Sequence, residues 1–394
     1  MVREVCLNQD PLFVAFILLA VVVGAQKWSV EFQNARIMRY LPTPVWCYIP
    51  PTLLTTLGIL PSKSVVYDGI TNFVLPACLI LLLMTTDVEG LKKVSRPALT
   101  AMACATSSIL IGAIWVFLLF QSSLGTEGWK VISTLTASWI GGTVNMLAVK
   151  QATELSDQTF TPLFLSDITV VYTWMTFLMV ISSNQNKIDR WMNVTRRHMD
   201  QALVHAGPAK STRKKMESQS LLALLAIGFG LGAACIWLGN RLPILGAGMN
   251  TFTWIIILVT TLGLWLSRTR YAKQESANAS RVGYFLLYFV LAATGAKANL
   301  TALLHAPIFL AICFVWVGIH AALLLLAGRV FGIPSAMLAT ASQANLGGVA
   351  SAPIVASTYE PKLVPVALIL AILGNAVANY FGILMGQFLL RLTG

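Results

Sequence analysis

The sequence predicts an all-α polytopic membrane protein built from two inverted repeats, each with about five crossing helices and one discontinuous or re-entrant segment. Three observations lead there: a composition poor in charge, apolar segments divided six and six by one basic stretch, and a double glycine at matching places in both halves.

The 394 residues are 57% hydrophobic and 11% charged. A soluble domain carries about 25% charged residues, so this composition cannot clothe a water-facing surface. The lipid bilayer is therefore the first partner, and the chain reads as a multi-pass integral protein of a bacterial-type inner membrane. Twelve apolar segments follow one another, near 11–26, 43–60, 70–88, 98–120, 131–149, 163–183, 219–239, 248–267, 283–300, 306–328, 334–356 and 363–390. Runs on the order of 20 apolar residues span the hydrocarbon core as helices. No alternating ten-residue strands point to a barrel. Residues 12–23 resemble the apolar core of a signal peptide, but a counterpart in the second half makes them a retained helix.

The net charge of +12 raises nucleic acid as a partner. The cations instead cluster between apolar segments, where membrane topology puts them, so nucleic acid is set aside. Cys6, Cys47, Cys78, Cys104, Cys235 and Cys313 show no CxxC spacing, which argues against a disulfide framework or a zinc site.

Residues 184–218 hold eight basic side chains against three acidic ones and divide the chain into a first repeat (1–183), a basic cytoplasmic linker (184–218) and a second repeat (219–394). At an offset near 208, Gly24 matches Gly232, Thr86 matches Thr294, Asp167 matches Asn375 and Tyr172 matches Tyr380. With a two-residue slip, Gly141-Gly142 falls on Gly347-Gly348. With the N-terminus outside and all twelve segments crossing, only 10 of the 27 Lys and Arg residues lie inside. If the two double-glycine segments return to the side they came from, 20 of the 27 lie inside, and five crossings per half make the repeats inverted. Each such segment is about 20 residues, short for a hairpin, so a broken helix that crosses remains the other reading.

Segments 131–149 and 334–356 are the polar ones, and polar groups in hydrocarbon must face protein or a wet cavity. The first offers Ser138, Gly141, Gly142, Thr143 and Asn145, the second Gln343, Asn345, Gly347, Gly348 and Ser351. Adjacent glycines break a helix and free its carbonyls and amides for an ion or solute, or else they only allow close packing. Asp167 and its counterpart Asn375 complete the candidate binding set. Asp167 is either a cation or proton ligand or a helix-end carboxylate in the interface. A sodium site is expected near Asp167 and the double glycines. Asp87 reads as a helix-end residue, His320 as a satisfied core histidine, and Gly228, Gly230 and Gly232 as a packing face. No P-loop, HExxH or GxSxG is present, so the chain reads as neither ATP-driven nor an enzyme, with no cofactor.

SWIGGTVNM (138–146) and ANLGGVASAP (344–353) resemble the membrane proteins of domain-of-unknown-function family 819, over nearly the whole chain. More distantly, the layout resembles sodium-coupled glutamate symporters and the cation–proton antiporter and anion transporter superfamily. That resemblance implies inverted repeats, a core with discontinuous elements, a separate scaffold and a homodimer. The paired aspartates of electrogenic sodium–proton antiporters are lacking, which puts solute symport ahead of antiport. The expected function is thus a sodium- or proton-coupled secondary transporter moving a small polar solute, anionic or zwitterionic, by alternating access. The alternative is a non-transporting scaffold or receptor acting through the basic linker.

Overall fold

A computed structural model describes residues 10–31, 43–86, 95–194, 218–244, 250–298 and 306–393. Asp87, most of the loops 27–42 and 89–97, Cys6 and linker residues 195–217 lie outside the described residues, and so do the expectations placed on them.

Among the described residues every regular element is helical: α1 (Pro11–Glu31), α2 (Thr43–Thr56), α3 (Val65–Leu83), α4 (Arg96–Leu124), α5 (Gly128–Gly141), α6 (Thr143–Thr153), α7 (Asp157–Ile181) and a short α8 (Gln185–Trp191). After the linker come α9 (Ser218–Gly239), α10 (Thr251–Leu266), α11 (Arg270–Lys297), α12 (Ala306–Phe331), α13 (Ser335–Leu346), α14 (Gly348–Tyr359) and α15 (Val364–Thr393). Eight of the described helical stretches are long and apolar enough to cross a bilayer. The chain is an all-α, multi-pass integral membrane protein. Helices α1–α7 and α9–α15 run in the same order, with the short pairs α5/α6 and α13/α14 in the fifth segment of each half.

Two helix groups result. One holds α1, α2, α3, α9, α10 and α11, with α3 against α9, α10 and α11, and α2 along α11. The other holds α4–α7 and α12–α15, with α4 against α12 and α13, and α5 along α15. Small residues set the α5–α15 approach. Gly374, Ala378, Gly382 and Gly386 recur every four residues on one face of α15. A Cβ at Gly382 would stand 2.8 Å from Ala137 Cβ, and one at Gly386 2.7 Å from Ser133 Oγ. Ser133 Oγ donates to the Gly382 carbonyl across this seam (2.8 Å). Without a hydrophobic drive between helices in lipid, such close contact is what holds two helices together.

Both short pairs fold back on themselves. Before α5, Glu127 accepts from Ser156 Oγ (2.8 Å) and Ser156 N–H (3.1 Å), just after α6. Segment 128–153 thus enters and leaves at the start of α7. Before α13, Ser335 N–H donates to Asp189 (2.8 Å), and after α14 the Tyr359 hydroxyl donates to the Leu178 carbonyl (2.8 Å). That second hairpin opens at the end of α7, about 37 Å of helix away. The first runs longer than the sequence suggested at both ends, because its outer turns (Trp129-Lys130, Lys150 to Thr153) read as loop, whereas the second starts where expected and runs three residues further, to Tyr359. Opposite openings are the disposition expected of inverted repeats. A cysteine replacing Ser156 is expected to react with an impermeant maleimide only from the face opposite the linker. Labelling from the linker face would mean that 128–153 crosses.

Helix α7 starts at Asp157, capped by Ser156 Oγ accepting from Thr159 N–H (3.3 Å), six residues before the apolar run. Asp167 is therefore near mid-helix and 4% exposed, not an interfacial helix-end carboxylate. The Gly228 and Gly232 positions pack on Leu81 and Ala77, as a packing face should, whereas a Cβ at Gly230 would meet open space. The i, i+4 pair does the packing, so Gly230 is corrected out of it. His320 is satisfied on both sides, with Nδ1 2.7 Å from Ser108 Oγ and Nε2 2.8 Å from Ser342 Oγ.

Candidate functional site

The two hairpin tips meet at α15. Helix α5 ends at Gly141, and Gly142 takes φ +91° and ψ −175°, a region essentially reserved for glycine, before Thr143 opens α6. In the second hairpin Gly347 stays at φ −112° while Gly348 takes φ +62°. A Cβ at either positive-φ glycine would meet no atom within 4 Å, so backbone angle alone demands glycine there. Their neighbours are constrained sterically. A Cβ at Gly141 would stand 2.5 Å from Ala378 Cβ and 2.9 Å from Asn375 Cα. One at Gly347 would overlap Ser351 Oγ and Gln343 Nε2.

Gly374 of α15 lies against both tips, and sequence reasoning missed it although it adjoins Asn375. A Cβ there would overlap the Ile140 carbonyl of the first tip and lie 3.2 Å from Asn345 Oδ1 of the second. One backbone position thus brings oxygens of both hairpins together. Beside it, Asn145 donates from Nδ2 to the Gly141 carbonyl (3.1 Å) and to Asn375 Oδ1 (2.6 Å). Gln343 Nε2 donates to Ser351 Oγ (2.8 Å), and Asn345 Nδ2 to Thr106 Oγ1 (3.1 Å).

The amide oxygens tell the rest. Asn145, Gln343 and Asn345 are each fully buried, and Oδ1 of the two asparagines and Oε1 of Gln343 accept no hydrogen bond. The Asn145 amide is oriented by the Gly141 carbonyl, which can only accept, so its own oxygen must point away. An amide oxygen buried without a donor costs on the order of 1–3 kcal/mol. Three at two touching helix breaks form a set of neutral oxygens suited to a desolvated cation or to a solute's N–H groups. Each tip also joins the carbonyl end of one half-helix to the amide end of the next, the first favouring a cation and the second an anion.

Asp167 sits to one side of this set. Its Oδ2 accepts from Ser138 Oγ (2.8 Å) and its Oδ1 from Trp139 Nε1 (2.7 Å). Both donors belong to the last turns of α5, so the carboxylate braces the first tip from α7 while Asn375 meets it from α15. Trp139, invisible as a site residue in the sequence, is the direct neighbour of Ser138 in SWIGG. Thr143 begins α6 next to the Gly142 break. Of the twelve candidates, Gly141, Gly142, Thr143, Asn145 and Asn375 gather at the first tip. Gln343, Asn345, Gly347, Gly348 and Ser351 gather at the second, and Ser138 and Asp167 form the brace. No cluster of three or more His, Cys, Asp or Glu suited to a metal occurs among the described residues.

The chain matches the family model described as "Protein of unknown function (DUF819)" over residues 17–392. It is also 25% identical over 353 residues to the "Uncharacterized membrane protein YjcL" of Bacillus subtilis (strain 168), covering 85% of this chain and 87% of that one.

Proposed function

As the chain belongs to this family, whose description gives it no activity, we propose from its own geometry that it is a secondary transporter. It would couple a sodium or proton gradient to the movement of a small polar solute, anionic or zwitterionic, by alternating access. The observation that carries this reading is the contact of two hairpin tips at Gly374, with Asn345 Oδ1 beside it and the buried, unpaired acceptors Asn145 Oδ1 and Gln343 Oε1 on the first and second tips. Helix breaks that free polar groups inside a bilayer are stable where they hold a ligand or line a cavity. The unpaired oxygens are uncharged and do not take up protons near neutrality, which favours sodium over a proton as their occupant. The amide ends of α6 and α14 would receive the solute's anionic group. On this reading the protein is not an enzyme and carries no cofactor.

Purified protein in sodium chloride is expected to melt higher than in choline chloride of equal ionic strength, because a ligand of the native state stabilises it by mass action. Asn145→Ala and Asn345→Ala are each expected to raise the sodium concentration for half-maximal stabilisation by about tenfold, equivalent to about 1.4 kcal/mol. In proteoliposomes a sodium gradient should drive uptake from a metabolite mixture. The reading falls if neither sodium nor any solute shifts melting and no gradient drives uptake.

A further inference from the structure

The two helix groups meet differently in the two halves. In the second half α10 packs on α6 and α15, sealed by Asn379 Nδ2 donating to Thr260 Oγ1 (2.9 Å) and by Tyr380 and Thr261 hydroxyls 2.8 Å apart. The equivalent pair in the first half, α2 and α7, touches only toward the start of α7. There Tyr48 OH lies 2.9 Å from Thr161 Oγ1, and the Tyr48 ring lies 4.7 Å from that of Phe164. Beyond that seal the helices part around a cavity of about 640 Å³, lined by Val45 and Ile49 of α2 and by Thr169, Tyr172, Thr173 and Thr176 of α7, among others. The α7 wall continues to Val180, one residue before the helix ends, so the cavity extends toward the linker face.

The wall differs in composition from its counterpart in the second half. At the repeat offset, Thr169, Thr173 and Thr176 stand where α15 has Val377, Phe381 and Leu384. Leu165, Ile168, Phe177 and Val180 complete an otherwise apolar lining, so the three hydroxyls form one polar stripe along the α7 wall. Their polarity is also defined. Each hydroxyl donates back along its helix, Thr169 to the Leu165 carbonyl (2.8 Å), Thr173 to Thr169 (2.7 Å) and Thr176 to Tyr172 (2.9 Å). With the proton so used, each oxygen turns only lone pairs outward. No charged side chain is among the described lining residues.

We propose that this cavity is a water-filled vestibule on the linker side that receives a solute bearing an apolar portion and hydrogen-bond donors, without net negative charge. Val45 and Ile49 would take the apolar portion and the threonine oxygens the donors. The proposal rests on the transport reading for its purpose and narrows it from anionic or zwitterionic solutes to the zwitterionic side.

The test needs no known solute. Thr173→Cys and Thr176→Cys proteins are placed in vesicles of both orientations and treated with impermeant methanethiosulfonates carrying either trimethylammonium or sulfonate. The modified peptide is then identified by mass, which separates it from the native cysteines. We expect labelling from the linker face at both positions, and a faster reaction with the trimethylammonium reagent than with the sulfonate after correction for their rates on free cysteine. The reference variant Val377→Cys, on the sealed counterpart face, is expected to stay unlabelled. No labelling from either face, meaning a lipid-filled groove, overturns the proposal. So does labelling only from the opposite face, or a sulfonate rate equal to or above the cationic one. If one variant does not fold, Thr169→Cys replaces it. Accessibility is read without sodium or uptake, so this proposal and the transport reading can fail separately.

Discussion

Alanine at Gly142 or Gly348 is expected to leave the protein folded while raising the sodium concentration for half-maximal thermal stabilisation by tenfold or more. At φ +91° and +62° these two residues hold backbone conformations that side-chain-bearing residues adopt at a cost of about 1–3 kcal/mol. An added Cβ meets no atom within 4 Å at either position, so the helices need not move apart. The strain is relieved only by rotating the tip, which displaces the carbonyls and amides beside it. Valine, β-branched as well, is expected to abolish the sodium-dependent shift. Gly228→Ala is the control. Its Cβ would stand 3.2 Å from Leu81, far from either tip, and should lower melting slightly while leaving the sodium shift intact. Equal, near-wild-type sodium shifts in all three alanine variants would reduce the double glycines to packing residues.

Why these glycines were legible and their neighbours were not is a matter of distance along the chain. A Gly-Gly pair inside an apolar run breaks helix propensity locally, and its recurrence in a second half marks both tips from sequence alone. Gly374 breaks nothing, since α15 runs straight through it. Its role arises from the Ile140 carbonyl more than two hundred residues away, and spacing within α15 cannot name that partner. The repeat of Gly374, Ala378, Gly382 and Gly386 announces a close neighbour without saying which helix it is. Hairpin lengths were underestimated for a different reason. Lys150 is buried, pairs with Asp157 at 2.5 Å and lies against Phe160, so a charge that reads as loop is the end of a half-helix. The start of α7 was hidden in the same way by Thr159 and Thr161, whose hydroxyls bond to Glu127 and to the Asp157 carbonyl. The unpaired oxygens of Asn145, Gln343 and Asn345 have no sequence signature, because orientation appears only once each amide's other end is tied.

Asp167 allows the two coupling ions to be told apart. Its two oxygens are occupied by Ser138 Oγ and Trp139 Nε1, and it approaches the first tip only through them. Asp167→Ala removes both acceptors and leaves two buried donors unpaired, at about 1–3 kcal/mol each. It should therefore lower the melting temperature more than any other single change at the site. Asp167→Asn keeps one oxygen for the indole N–H, which cannot turn, while the new NH2 donates to Ser138, whose hydroxyl can rotate to accept. The fold and the brace should then survive without the charge. If sodium is held by the neutral oxygens of both hairpins, Asp167→Asn retains the sodium-dependent shift within a few-fold of wild type and still takes up solute on a sodium gradient. If Asp167 itself carries the coupling proton, Asp167→Asn melts like wild type but shows no gradient-driven uptake under either ion. We expect the first result. The second, in a variant with native melting, would move the coupling role from the amide oxygens to the carboxylate and make the brace on Trp139 a device for tuning its protonation.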